Sequence, residues 1–387
     1  MKVLLACALK FHSDHVGYQL QRNGSLYRLI TSVPPFAYKR EPIDKKKIVF
    51  LPPAFLFSWV LSKLLGRFYF FRSLVEWLVS AYFDWTASFF IGSPDISLSW
   101  AWSSYYIIKK VQHKGGIAIV EESGSFNKYQ QKILKQEYER LGLKYRSDIH
   151  QGILEREQRE CEAADYILCP SKYTANSLIE YGIKKGKIII IPYGVDISTF
   201  RKESRKDDVF RVFYLGGIRV RKGLIYLFRA LEGLKLSNFE CLIIGKVEDD
   251  FKPFFNQYKR YFKHISEYIP LNRMRCYYSN ASVFVLPSID DAFGLVVLEA
   301  MACGLPVICT TNTGAAELIR DNMEGFVVPI RDSNAIKEKI EYLYHNPVEC
   351  ERMGNNALQR AKDCTWDNYG KAITRELKQI MSNRYSR

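Results

Sequence analysis

The sequence predicts an α/β protein made of two parallel-sheet halves, helices on both faces of each sheet, enclosing a cleft. Three observations predict it. Short β-branched runs alternate with amphipathic helical patterns along most of the chain, the order that gives parallel sheets. The 387 residues exceed what one core usually serves. The charged segment Arg201 to Asp208 has no apolar period and separates two such alternating halves.

In the first half, Lys2 to Leu9 reads as a strand, Lys10 to Asp14 as a loop and His15 to Arg22 as a helix stopped by Asn23-Gly24. Tyr27 to Thr31 is the next strand. Residues 48–85 are unusually aromatic, with Phe50, Phe55, Phe57, Trp59, Phe68, Tyr69, Phe70, Phe71, Trp77, Tyr82, Phe83 and Trp85. Pro52-Pro53, Lys63, Arg67 and Arg72 interrupt the stretch before about 20 apolar residues accumulate, so it does not read as a membrane span. Two readings stay open for it: helices in the first core and rim, or an aromatic-basic surface entering a membrane interface. Ile117 to Glu122 is a strand running into Ser123-Gly124-Ser125, followed by a polar helix over 128–141. Ile153 to Ala164 (helix), Tyr166 to Pro170 (strand), Lys172 to Tyr181 (helix, ended by Gly182) and Lys187 to Pro192 (strand) complete the half.

The second, Rossmann-like half opens with a strand ending at Gly216-Gly217, and a helix follows from Leu224. Glu240 to Gly245, Ser282 to Pro287 and Pro306 to Thr310 are further strands. In such sheets ligands bind beyond the carboxyl ends of the strands, and the motifs fall there. After Gly216-Gly217 a tight turn brings Arg219, Arg221 and Lys222 to the cleft mouth, three cations suited to a diphosphate leaving group. After the strand ending at Pro287, Asp291 stands outside a helix that begins near Phe293 or Gly294, and Glu299 lies about a turn and a half inside it. The free N–H groups and positive dipole end favour an anion there, while the two carboxylates can accept from sugar or ribose hydroxyls. The alternative is a helix cap at Asp291 and a solvated polar position at Glu299.

The Asp291 to Val307 stretch resembles the E-x7-E signature of glycosyltransferase family 4 enzymes of the GT-B fold, with Asp291 where the first Glu is usual. The resemblance reaches most of residues 110–330. It implies a retaining glycosyltransferase: residues 1–205 an acceptor-binding domain, 206–365 a donor-binding domain, and 366–387 a helix crossing back to the first, anchored by Trp366. Lys222 matches the family lysine that stabilises the diphosphate, whereas Gly217 occupies the position of the family arginine; Arg219 or Arg221 is left to supply the second charge. Glu299 would hold the ribose, and Asp291 with the Phe293, Gly294 and Leu295 backbone the sugar. Backbone groups of Ile269 would meet the nucleobase, and the N–H groups of Gly314-Ala315 would line the phosphate side. Ile191 to Asp196 resembles the family segment that closes the first domain, its Gly194 permitting the turn. Asn127 stands where relatives often carry a histidine near the transferred sugar, so His12 and His15 are the remaining histidine candidates on the acceptor side. The implied co-substrate is a nucleotide-diphosphate sugar, with no metal and no cofactor, and the implied acceptor a glycan or lipid-linked molecule in cell-surface polysaccharide or glycolipid assembly. A catalytically silent nucleotide-sugar-binding module and a sugar-nucleotide epimerase of the same fold are the alternatives.

The formal charge of +15 is spread over both halves, with no basic tail or reader motif; it suits anionic partners, including an anionic membrane contacted peripherally, without implying nucleic acid. Nine cysteines without CxxC pairs argue for a reducing compartment, hence a cytoplasmic protein that can sit on the inner membrane face, and against structural zinc. The start, Met1 to Cys7, reads as a buried strand rather than a lipoprotein signal.

Overall fold

A computed structural model describes residues 1–38, 41–52, 56, 59–60 and 69–385. The first sheet contains β1 (Val3–Cys7), β2 (Leu26–Thr31), β3 (Ile48–Phe50), β4 (Ile96–Trp100), β5 (Ile117–Glu121), β6 (Tyr166–Cys169) and β7 (Ile188–Ile190), in the order β3-β2-β1-β4-β5-β6-β7. The second contains β8 (Phe210–Leu215), β9 (Phe239–Ile244), β10 (Lys263–Ile265), β11 (Val283–Leu286), β12 (Val307–Thr310) and β13 (Gly325–Val328), in the order β10-β9-β8-β11-β12-β13. Every pairing between these strands is parallel. The central strands β1, β4, β5, β11 and β12 are buried along their whole length, as strands covered on both faces by helices must be. Strand order reverses between β1 and β4 and again between β8 and β11, and these switch points open the crevices where ligands enter.

The helices of the first unit are α1 (Ser13–Arg22), α2 (Tyr69–Ala87), α3 (Tyr105–His113), α4 (Asn127–Arg140), α5 (Gln151–Ala163) and α6 (Lys172–Glu180). Those of the second are α7 (Leu224–Glu232), α8 (Lys252–Tyr258), α9 (Leu271–Ser279), α10 (Leu295–Ala302), α11 (Ser333–His345) and α12 (Pro347–Asp363), and α13 (Trp366–Tyr385) ends the chain. Helix α13 lies on the first unit. Its Ile373 and Leu377 line a small apolar cavity together with Leu98, Ile119, Leu168 and Ile189 of the first sheet, and Gln19 and Arg22 of α1 donate to Asp367 at 2.7 and 2.8 Å.

Two sequence expectations change. The sequence reading has no strand at Ile96–Trp100, yet β4 is central: its alternation Ile-Ser-Leu-Ser-Trp suggests a half-exposed edge, but Ser97 and Ser99 are wholly buried. The aromatic stretch is part buried and part exposed. Phe83 is fully buried and Trp77 stacks on His150 with ring centres 5.2 Å apart, while Trp59 and Trp85 are about half exposed; Phe55, Phe57, Lys63, Arg67 and Phe68 lie outside the described residues. Among the described residues no helix is long and apolar enough to cross a membrane. Gly194 serves a close approach rather than a turn, since a Cβ there would lie 2.3 Å from the Trp366 amide nitrogen. Beside it Val195 bridges Thr365 and donates to the Cys364 carbonyl at 2.8 Å.

Candidate functional site

Three loops at the carboxyl edge of the second sheet are knitted together by their backbones. Ile289 donates to the Arg221 carbonyl at 2.9 Å, Asp291 to Asn312 at 3.0 Å, Gly314 to Asp291 at 2.9 Å and Ala315 to Phe293 at 2.7 Å. The segment 289–293 is thus held between the loop after β8 and the loop after β12. Gly294 ends it with φ of 80°, the left-handed region, and caps α10; a Cβ there would press on Thr313 and Leu286 at 3.0 and 3.1 Å, so glycine fits this corner best. These bonds also correct one expectation. The N–H groups of Gly314 and Ala315 serve the Asp291 and Phe293 carbonyls and are not open to a phosphate.

Lys222 Nζ lies 2.5 Å from Asp291 Oδ2, with only 15% and 12% of the two side chains exposed. The two are direct partners on one unit. Burial opposes the charge on Asp291, but Lys222, Arg221 and the Phe293 N–H outweigh it and hold the carboxyl below its ordinary range. Burial lowers the Lys222 ammonium, with Asp291 offsetting part of the loss. At the head of the same loop Tyr214 donates to the Gly217 carbonyl at 2.9 Å, just after Gly216. The two arginines part company there. Arg221 pairs with Asp290 at 3.2 Å, while the buried Nε of Arg219, packed against Gly217, has no hydrogen-bond partner among the described residues.

Leu295 begins α10 and is partly exposed at the loop. Glu299, a turn further on, accepts from the Tyr278 hydroxyl at 2.8 Å. Phe293 is buried and meets Tyr193 edge to face at 5.1 Å between ring centres. Ile269 precedes α9 and packs partly into the core beside the exposed Tyr268.

The acceptor-side candidates are committed elsewhere. Asn127 is buried at the start of α4, where its side chain and its N–H donate to Glu157 at 2.7 and 3.0 Å. His12 Nε2 lies 2.5 Å from Glu121 Oε1, which also accepts from the Tyr193 hydroxyl at 2.9 Å. His15 stacks on Trp366 with ring centres 4.2 Å apart and lies 3.2 Å from Glu41. The two histidines therefore pack the seam where α13 returns, and Asn127 anchors a helix. A histidine in a loop after a strand gives no sequence signal that separates these roles.

Sequence reasoning passed over Asp290. Its wholly buried carboxylate accepts from Ser125 Oγ at 2.6 Å, Tyr173 Oη at 2.8 Å and Gln130 Nε2 at 2.8 Å, all from the first unit, and pairs with Arg221 of the second. Around it Ser171 donates to the Ala292 carbonyl at 2.7 Å, and Glu137 accepts from Tyr226 and from Arg331, each at 2.6 Å. The acidic doublet Asp290-Asp291 was the available signal. One member faces Lys222 and the other joins the two units. Among the described residues no three His, Cys, Asp or Glu side chains gather as a metal site.

Comparison with known proteins bears on this geometry. Residues 196–360 match the family model for glycosyl transferases group 1, and residues 130–199 that for glycosyltransferase family 4. The capsular polysaccharide biosynthesis glycosyltransferase CapM of Staphylococcus aureus is 30% identical over 203 residues, 46% of this chain and 52% of CapM. A D-inositol 3-phosphate glycosyltransferase of Paenarthrobacter aurescens is 28% identical over 242 residues, 57% of this chain and 59% of that protein. The chain thus spans little more than half the length of the curated relatives it matches. In structure it is similar to sucrose-phosphate synthase from Thermosynechococcus elongatus (TM-score 0.71, 18% identity, 99% of this chain and 100% of that one). It is also similar to HepE of Anabaena in complex with UDP (TM-score 0.67, 15% identity, 98% and 100%). At such identities the likeness speaks for the fold, which is GT-B.

Proposed function

The chain belongs to the glycosyltransferase families whose group 1 and family 4 models together take in residues 130–360, and from that premise we propose that it transfers a sugar, with retention, from a nucleotide-diphosphate sugar to a glycan or lipid-linked acceptor. The observation that carries this reading is the Lys222–Asp291 pair, 2.5 Å apart beside the N-terminus of α10 and at the carboxyl edge of the second sheet. Departure of a nucleoside diphosphate gathers charge on phosphate oxygens, and a preorganised ammonium with helix N–H groups lowers that barrier. The lowered Lys222 makes the arrangement responsive: an arriving diphosphate favours its protonated form and competes with Asp291 for it. Arg219, whose buried Nε has no partner among the described residues, is the second cation; Arg221 is held by Asp290. Glu299 would take the ribose hydroxyls, and Asp291 with the Phe293 to Leu295 backbone would take the sugar. The likeness to CapM supports a place in polysaccharide assembly.

Incubation with a panel of nucleotide sugars and acceptors tests the reading through release of the nucleoside diphosphate and the configuration of the product. Transfer that disappears in Lys222→Ala and Glu299→Ala, with folding kept, is expected. Donor bound but unchanged would mean a silent module, and donor converted into its epimer an epimerase. Failure of every common donor to raise the melting temperature would overturn the reading.

A further inference from the structure

The outer flank of the first unit carries an aromatic and basic surface that the candidate site leaves unused. It forms where α2 ends, at the short turn Ser88–Phe90, and continues along α3. Trp85, Phe89, Phe90 and Tyr106 are 49, 60, 46 and 47% exposed. Trp85 meets Phe89 edge to face at 5.2 Å between ring centres, and Lys110 Nζ stands 4.4 Å from the centre of the Phe89 ring. Trp85, Phe89, Tyr106, Lys109, Lys110 and His113 line a shallow groove, and among the described residues its lining includes no acidic side chain. More cations flank it: Arg28 donates to the Phe90 carbonyl at 2.8 Å and Lys114 to the Gly92 carbonyl at 2.7 Å. Asp84, the carboxylate nearest in sequence, is buried, paired with Arg156 and capping α3 through the Tyr106 and Ile107 amides.

Large aromatic tips left in water and ringed by lysines fit two kinds of cover unequally. Protein interfaces enrich aromatics but deplete lysine at their centres, and a second copy of this strongly basic chain would bring like charge against like. The boundary of an anionic bilayer accepts both components, aromatic rings at the headgroup level and lysines against phosphates. We propose that this flank docks the protein on a membrane surface of anionic phospholipid. The docking goes beyond the transfer reaction and needs no donor, so either proposal can fail without the other.

Co-sedimentation of the full chain with vesicles tests it, comparing pure phosphatidylcholine with phosphatidylcholine containing a third phosphatidylglycerol. Binding to the anionic vesicles alone, weakened by salt, is expected. Lys109→Gln with Lys110→Gln should bind about 30-fold more weakly, equivalent to about 1 kcal/mol per cation. Trp85→Ser with Phe89→Ser should lose roughly tenfold or more. All four positions are on the surface, and an unchanged melting temperature shows that each variant folds. No binding, equal binding to neutral vesicles, or unaltered binding by both variants would overturn the proposal. So would a dimer that Phe89→Ser dissociates, which would assign the flank to a second copy of the chain.

Discussion

Replacing Asp290 by alanine should loosen the union of the two sheets more than any other single change at the site. The carboxylate is wholly buried and meets four donors, Ser125, Gln130, Tyr173 and Arg221, at 2.6 to 3.2 Å. Its removal leaves the Arg221 guanidinium, 26% exposed, without its partner and three neutral donors without theirs. Breaking a buried pair by deleting one member costs about 3–5 kcal/mol. At about 2.1 cal/mol/K per residue, 387 residues carry an unfolding entropy of roughly 0.8 kcal/mol/K. A loss of about 4 kcal/mol should therefore lower a cooperative melt by about 5 °C. Because three of the four donors belong to the first unit and Arg221 to the second, calorimetry should also show the single transition broadening or dividing. Asp290→Asn, which retains two or three of the neutral bonds, should fall between. A melt for Asp290→Ala within about 1 °C of the parent, still in one transition, would refute the reasoning, since the predicted shift is several times larger.

Three further predictions concern the site and its supports. Lys222→Ala should weaken binding of a nucleoside diphosphate by about 10- to 100-fold, the worth of a charged hydrogen bond, with Lys222→Arg recovering part of it; equal affinities by calorimetric titration would contradict the assignment. Gly294→Ala should cost roughly 1–3 kcal/mol from left-handed strain and contact with Thr313, and urea denaturation unchanged from the parent would show that the loop adapts. Finally, burial first, then neighbouring carboxylates, pushes Glu160 up to about 7 and Glu157 up to about 8. The folded chain keeps protons that the unfolded chain gives up near 4.5. This stabilisation is complete below that pH and is lost as pH rises to about 8, at roughly 1.4 kcal/mol per pH unit for each proton held. Urea midpoints across that range should fall in the parent and fall less in Glu157→Gln; parallel profiles would disprove the assignment.

The sequence makes the two-sheet plan legible because buried parallel strands are continuous apolar runs, as at Val283–Leu286 and Val307–Thr310. It conceals β4, whose buried serines imitate the alternation of an exposed edge. The separation of Asp291 and Glu299 places both on one helix end, and Lys222 can be picked out as a cation at a strand end. Pairing is another matter. Which arginine is tied down, which carboxylate of Asp290-Asp291 binds across the units, and that Asn127 and the two histidines serve internal bonds all depend on contacts between separate elements, 30 residues apart for Asn127 with Glu157 and 160 for Gln130 with Asp290, and local pattern carries no record of them.

The return of α13 to the first unit has a consequence for dividing the protein. Trp366, Tyr369, Ile373, Leu377 and Ile380 recur at helical spacing and are all buried, so the last twenty residues of the described chain complete a core whose strands were all laid down before residue 191. A protease that nicks the exposed stretch near Lys206 would separate residues 1–205 from a fragment that still grips them by this helix. No single cut between the sheets yields two self-sufficient halves: a first half made alone would present bare apolar surface over β4 to β7, and the remainder would carry an unpartnered amphipathic arm.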